Sequence, residues 1–163
     1  MHPSRAVVTD TDLGFDRIKE EVEKMAGSYV IIGFPETAKT KDQTKGNRHK
    51  KGGLSMAEIA AENEFGTKYI PARSFMRTTF DENRDNVNRI IDKEYDKILE
   101  GKRTVQFSLQ AIGIYYEGLI RKKIRDIHFP PNSPRTIALK GSSKPLIDFG
   151  QMIAAIQHKV VIA

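Results

Sequence analysis

The side chains best suited to hold a metal or move a proton are four histidines, His2, His49, His128 and His158, and the carboxylates Asp92, Asp96 and Glu100. The histidines stand singly and far apart, so a metal site would need long-range convergence, and solvated or packed imidazoles are the reading that the spacing favours. Asp92, Asp96 and Glu100 fall at i, i+4 and i+8 of a helical pattern. Lys93 and Lys97 interleave with them, which predicts an ion-paired solvent face rather than a carboxylate cluster. Gly46-Asn-Arg-His-Lys-Lys-Gly52 has the glycines and lysines of a phosphate loop, but their spacing is wrong and no strand directly precedes them. Neither a His-Glu-x-x-His zinc helix nor a Gly-x-Ser-x-Gly elbow occurs. The chain has no cysteine, which excludes a disulfide framework, thiolate zinc ligands, a Cys nucleophile and thiol redox chemistry. No catalytic residue, metal or cofactor is expected. An enzyme stays open only because a convergent site need not show as a motif.

Charge carries more information. The 163 residues hold 27 Lys+Arg against 21 Asp+Glu, a net +6. That surplus is confined to two segments. Thr37–Gly53 contains Lys39, Lys41, Lys45, Arg48, Lys50 and Lys51 against Asp42 alone, and Arg121–Lys144 is richer still, at +6. Everything else is acidic, at −5. Cationic clusters can neutralise phosphates with release of counterions, so one reading is a small basic DNA-binding protein gripping duplex phosphates. Thr37–Gly53 has no aromatic for base stacking, which argues against single-strand or sequence-specific recognition. A solvated loop that keeps the protein in solution is the plainer alternative.

The elements around these segments predict one domain of α+β class. Asp12 to Met25 reads as an amphipathic helix with Asp12 as N-cap and Leu13, Ile18, Val22 and Met25 on its inner face. Ser28–Phe34 is β-branched and aromatic, and its continuous apolar run predicts a strand buried on both faces. Thr37–Gly53 can bury nothing and is expected to be a mobile excursion. Ser55-Met-Ala-Glu58 spells a capping box for a short helix that Gly66 ends. Long helices follow over Ser74–Glu100, with Met76, Phe80, Val87, Ile91 and Ile98 inward, and over Thr104–Arg125, with Val105, Leu109, Ile112, Tyr116, Leu119 and Ile124 inward. Gly113, beside that second stripe, predicts close approach of a neighbouring backbone. His128–Lys144, with Pro130, Pro131, Pro134 and Gly141, is expected to be largely irregular. A short helix near Phe149–Ile156, capped by Asp148, and a strand over Lys159–Ala163 complete the pattern. Met1–Asp12 lacks a signal-peptide core and no stretch is long enough to span a bilayer, so a soluble protein of a reducing compartment is expected.

Two stretches carry a further signal. One is Met56-Ala-Glu-Ile-Ala-Ala-Glu-Asn-Glu-Phe-Gly-Thr-Lys-Tyr-Ile-Pro-Ala-Arg-Ser-Phe-Met-Arg77. The other is Pro130-Pro-Asn-Ser-Pro-Arg-Thr-Ile-Ala-Leu-Lys-Gly141, followed by Lys144-Pro-Leu-Ile-Asp-Phe-Gly-Gln-Met152. In order and spacing they resemble a family of tailed-bacteriophage neck and tail-completion proteins, the head–tail joining or tail-terminator-like group, over about Met56 to Val160. Phe149 stands where that family usually has Thr, and Ser74 where Pro is common.

The resemblance implies a single virion domain with a small antiparallel sheet packed with helices, assembling with copies of itself as a ring, six-fold in related tail terminators. Such a ring terminates the tail tube, joins it to the head connector or head-completion protein, and surrounds DNA without reading its sequence. Assembly in the host bacterial cytoplasm, no membrane and no catalysis go with that role. Phe65, Tyr69, Ile70, Arg73, Phe75, Thr136 and Lys140 are then the candidate contacts to adjoining subunits or rings. Lys39, Lys41, Lys45, Arg48, Lys50 and Lys51 would face a partner or DNA, and Ser55 and Asp148 are structural caps.

Overall fold

Two long helices carry the longest apolar stripes, and the sheet, the first helix and residues such as Met56, Ala60 and Met152 pack against them. The computed structural model describes residues 13–38, 55–126, 133–140 and 150–163. In chain order these form α1 (Phe15–Met25), β1 (Tyr29–Gly33), α2 (Met56–Phe65), α3 (Met76–Leu99), α4 (Val105–Asp126), α5 (Pro134–Lys140), α6 (Gln151–Ala154) and β2 (Gln157–Val161). The class is α+β, as expected: helices around a two-stranded antiparallel sheet. None of the helices described is long and apolar enough to cross a membrane.

β1 and β2 pair in a register that sets Val30 opposite Val160 and Ile32 opposite His158. These inner residues face α4, which packs against both strands. The outer face, with Tyr29 and Ile31 opposite Val161 and Lys159, has no layer over it among the described residues, and Ile31 is 53% exposed. The strand is therefore buried on one face and not two. A continuous apolar run reads as two-sided burial, yet among the described residues one helical layer supplies it. β2 begins two residues earlier than the apolar pattern suggests, because polar Gln157 and His158 still pair with Gly33 and Ile32.

α3 and α4 form an antiparallel pair joined at Gly101, whose φ of 68° accommodates the turn. Its amide bonds Ile98 O at 2.9 Å and its carbonyl accepts from Arg17 at 2.6 Å. On α4, Val105, Ile112, Tyr116 and Ile124 are buried as the stripe predicts, and Leu109 and Leu119 pack beside them. On α3 the inner face is rotated from expectation. Thr79, Val87, Glu94 and Ile98 are buried, whereas Phe80 and Ile91 are exposed. Phe80 instead stacks on Tyr116 across the pair, with centroids 6.0 Å apart.

Phe75, Ile124 and Ile156 are the largest fully buried apolar side chains, and Met56, Ala60, Val87, Ile112, Tyr116, Ile120 and Met152 complete their cluster. Each large one contributes about 1.5–3 kcal/mol relative to exposure. α1 is attached differently. It starts at Gly14, none of its residues is buried, and Leu13 and Val22 are exposed. Glu21 ties it down by accepting from Val105 N at 2.7 Å, and that bond holds the Glu21 carboxyl below its ordinary range. Asp12, the expected cap, lies outside the described residues.

Residues 133–140 correct another expectation. Pro134 supplies the first position of a helix, where its missing N–H costs nothing, so α5 forms in a stretch read as irregular. The basic segment lies almost wholly outside the described residues. Met56 N donates to Ala38 O at 2.8 Å, so Ala38 and Met56, on either side of that stretch, stand together.

Candidate functional site

The turn between α2 and α3 is built by hydrogen bonds that leave it little freedom. Ser55 caps α2 in a full capping box with Glu58, the hydroxyl accepting from Glu58 N at 3.1 Å. At the other end Gly66 has φ 76°, and a Cβ there would lie 2.8 Å from Ala72 N and 3.1 Å from Ile70 O, so backbone packs where a side chain would stand. Thr67 N donates to Ile70 O at 2.8 Å, while its hydroxyl accepts from Tyr69 N and Ile70 N at 3.1 and 3.0 Å. Arg73 ties the loop back to α2: its amide donates to Asn63 O at 2.6 Å and its guanidinium to Asn63 Oδ1 at 2.9 Å.

Glu64 organises the start of α3. Phe75, the N-cap of that helix, offers no capping side chain. The Glu64 carboxylate, 4% exposed, takes the role from the preceding helix. It accepts from the amides of Phe75, Met76 and Arg77 at 2.8, 2.9 and 3.1 Å, from Ser74 Oγ at 2.8 Å and from Arg77 Nε at 3.0 Å. Burial pushes its pKa up, but these donors outweigh burial and hold the carboxyl below the ordinary range. The orphan amides of a 24-residue helix thus meet a full negative charge.

Two aromatics stand out from this frame. Phe65 is 67% exposed and Tyr69 86% exposed. The Arg77 guanidinium lies 4.9 Å from the Phe65 ring centroid, and Lys68 Nζ lies 5.8 Å from that of Tyr69. Ile70 is half-buried beside them. Arg73 and Phe75, placed by sequence at a subunit boundary, are inside the chain: Arg73 is 5% exposed, and Phe75 is fully buried with its ring edge-to-face on Phe34 at 6.1 Å. Their apparent role as contacts came from their place in the motif; packing behind the turn explains them instead. Thr136 and Lys140 fall within α5, not in a loop. Lys39, Lys41, Lys45, Arg48, Lys50, Lys51 and Asp148 lie outside the described residues.

A second polar assembly joins β2 to α4. Gly113 is approached by a side chain, not by backbone: a Cβ there would lie 2.6 Å from His158 Cγ. The His158 ring lies on α4 with Nδ1 2.6 Å from Glu117 Oε1. Glu117 Oε2 pairs with Arg121 at 2.7 Å, and Arg121 donates to Ile156 O at 2.7 Å. His158, Glu117 and Arg121 therefore fasten the α6–β2 end of the chain to α4. His158 is a packed histidine, and the other three lie outside the described residues. No group of His, Asp or Glu able to hold a metal occurs among the described residues. Gly113 was the one sequence signal for this network, and Glu64 was hidden by its ordinary place in a helical segment.

Asp92, Asp96 and Glu100 are exposed, as expected of a solvent face, but the pairing differs. Lys97 pairs with Glu94 and Glu100 with Lys102, while Asp92 and Asp96 make no ion pair among the described residues. No family model, curated protein or solved structure matches the chain.

Proposed function

We propose that the chain is a structural subunit of a tailed-phage neck, assembling as an oligomeric, six-fold ring at the head-proximal end of the tail tube and joining that tube to the head connector. It performs no catalysis. The observation that carries the reading is the α2–α3 turn. The segment Asn63–Arg77, which bears the family resemblance, is fixed by Glu64 and Asn63 from behind and presents Phe65 and Tyr69 outward. A turn held this firmly is preorganised to bind, since little freedom remains to be lost on contact. Exposed aromatics beside an arginine, as Phe65 stands beside Arg77, have the composition of a protein–protein contact.

In this role the acidic body and the basic segments give unlike surfaces for unlike neighbours, with the ring's DNA passing through without sequence-specific contact. The test is a phage genome lacking this chain. Lysates should contain filled heads and separate tails that fail to join, with infectivity restored by the chain supplied in trans. Joined, infectious particles at normal yield would overturn the proposal.

A further inference from the structure

A groove of about 290 Å³ opens between the C-terminal half of α3, α4 and the end of α1. Its apolar lining includes Met25, Ile91, Tyr95, Ile98, Leu109 and Ile112, and Asp92 stands on its rim. Ile91 and Tyr95 face solvent at 44% and 43% exposure. The Phe65–Tyr69 turn sits at the opposite end of the same helix. Arg77, against the Phe65 ring, and Tyr95, in the groove, are 18 residues apart, about 27 Å along α3 at ~1.5 Å per residue.

We infer that the groove is the socket for the Phe65–Tyr69 turn of a second copy of this chain. The inference deepens the ring-subunit reading and rests on it. Size supports the match. A cavity of about 150 Å³ holds a benzene ring, so this groove has room for two rings, and the turn offers two. Charge supports it as well. The turn carries Lys68 beside Tyr69, and the socket carries Asp92, with Asp96 one helical turn on, both without an ion-pair partner among the described residues. Because plug and socket are different surfaces at opposite ends of α3, one copy cannot satisfy itself. Head-to-tail association is the outcome, and it closes into a ring when the rotation per subunit allows.

Magnitude sets the strength of the contact. Two aromatic side chains bury about 150–250 Å² each. With the matching socket surface the total stays below the ~1,200 Å² of a standard stable interface. A pair of free subunits is therefore weakly bound, and rings accumulate where a template raises the local concentration.

The absence of cysteine allows a direct test on the full chain. Lys68→Cys with Asp92→Cys leaves the aromatics and the groove floor intact. A bond within one chain would leave a monomer, so only bonds between copies add to the ladder. Mild oxidation at high protein concentration should give a ladder of covalent oligomers, at least tenfold more than Lys68→Cys with Lys93→Cys, whose second thiol lies on the far side of α3. Adding Phe65→Ser should remove the ladder. No ladder, an equal ladder from the control pair, or a ladder that survives Phe65→Ser would overturn the inference. If electron microscopy shows rings of the unmodified chain without this cross-link, the socket is wrong and the ring reading stands. A specific ladder together with normal head–tail joining in the absence of the chain would leave the socket standing and the neck reading overturned.

Discussion

The carboxylate of Glu64 on α2 accepts the backbone N–H of Phe75, N-cap of α3, at 2.8 Å, so one helix supplies the cap that the next lacks. The two neighbouring amides, Ser74 and Arg77 converge on the same carboxylate. Its consequences reach both the core, through Phe75, and the surface, through the Phe65 ring that Arg77 covers.

Glu64→Gln should destabilise the fold by about 1–3 kcal/mol, because an amide presents hydrogens where N–H donors converge and the charge–dipole attraction is lost. The sign of the pH dependence follows from the direction of the shift. A carboxyl with a depressed folded pKa contributes stability that is present above its unfolded pKa and lost as pH falls through the folded value. Urea unfolding of the wild type should therefore weaken below the ordinary carboxylate range, and the variant should show a shallower acid limb.

Gly113→Ala and Gly118→Ala on the same helix should have opposite signs. A methyl at Gly113 meets the His158 ring and Cβ, at 2.6 Å from Cγ and 3.0 Å from Cβ, so β2 must shift, at a cost of about 1–3 kcal/mol. At Gly118 a methyl meets nothing within 4 Å, and helix propensity alone should stabilise by up to about 1 kcal/mol. Midpoints of chemical denaturation for the two variants check both.

Much of this arrangement was legible in the chain. The Ser55 box, the two long helices and the first strand follow from capping chemistry and periodicity, which act locally. What was not legible depends on what a segment meets. Ile31 is apolar but half exposed, whereas His158 is polar yet packed, because Gly113 leaves a place for its ring and Glu117 a partner. Arg73 and Phe75 fall on the inner side of the turn and Phe65 and Tyr69 on the outer, a division made by the bonds to Asn63 and Glu64 rather than by residue type.

Ser55→Ala should cost about 1 kcal/mol, since it removes the acceptor for Glu58 N and half of a reciprocal pair. Thermal unfolding would show the loss as a lower Tm. A variant with unchanged Tm would mean that the box adds nothing to a helix already held by Met56 and Ala60 in the core.

Phe65→Ser and Tyr69→Ser should leave stability within about 1 kcal/mol, because both rings are mostly exposed and Phe65 loses little more than its contact with Arg77. Assembly should fail in both. Circular dichroism melts with particle counts of complemented lysates separate this outcome from misfolding.

The most direct measurement of the central claim is a cryo-electron reconstruction of the phage neck with the chain's position assigned by its α3–α4 pair. The expected result is a ring at the head-proximal end of the tail tube, with each Phe65–Tyr69 turn against the neighbouring subunit. Particles whose neck density has no place for this chain would contradict it.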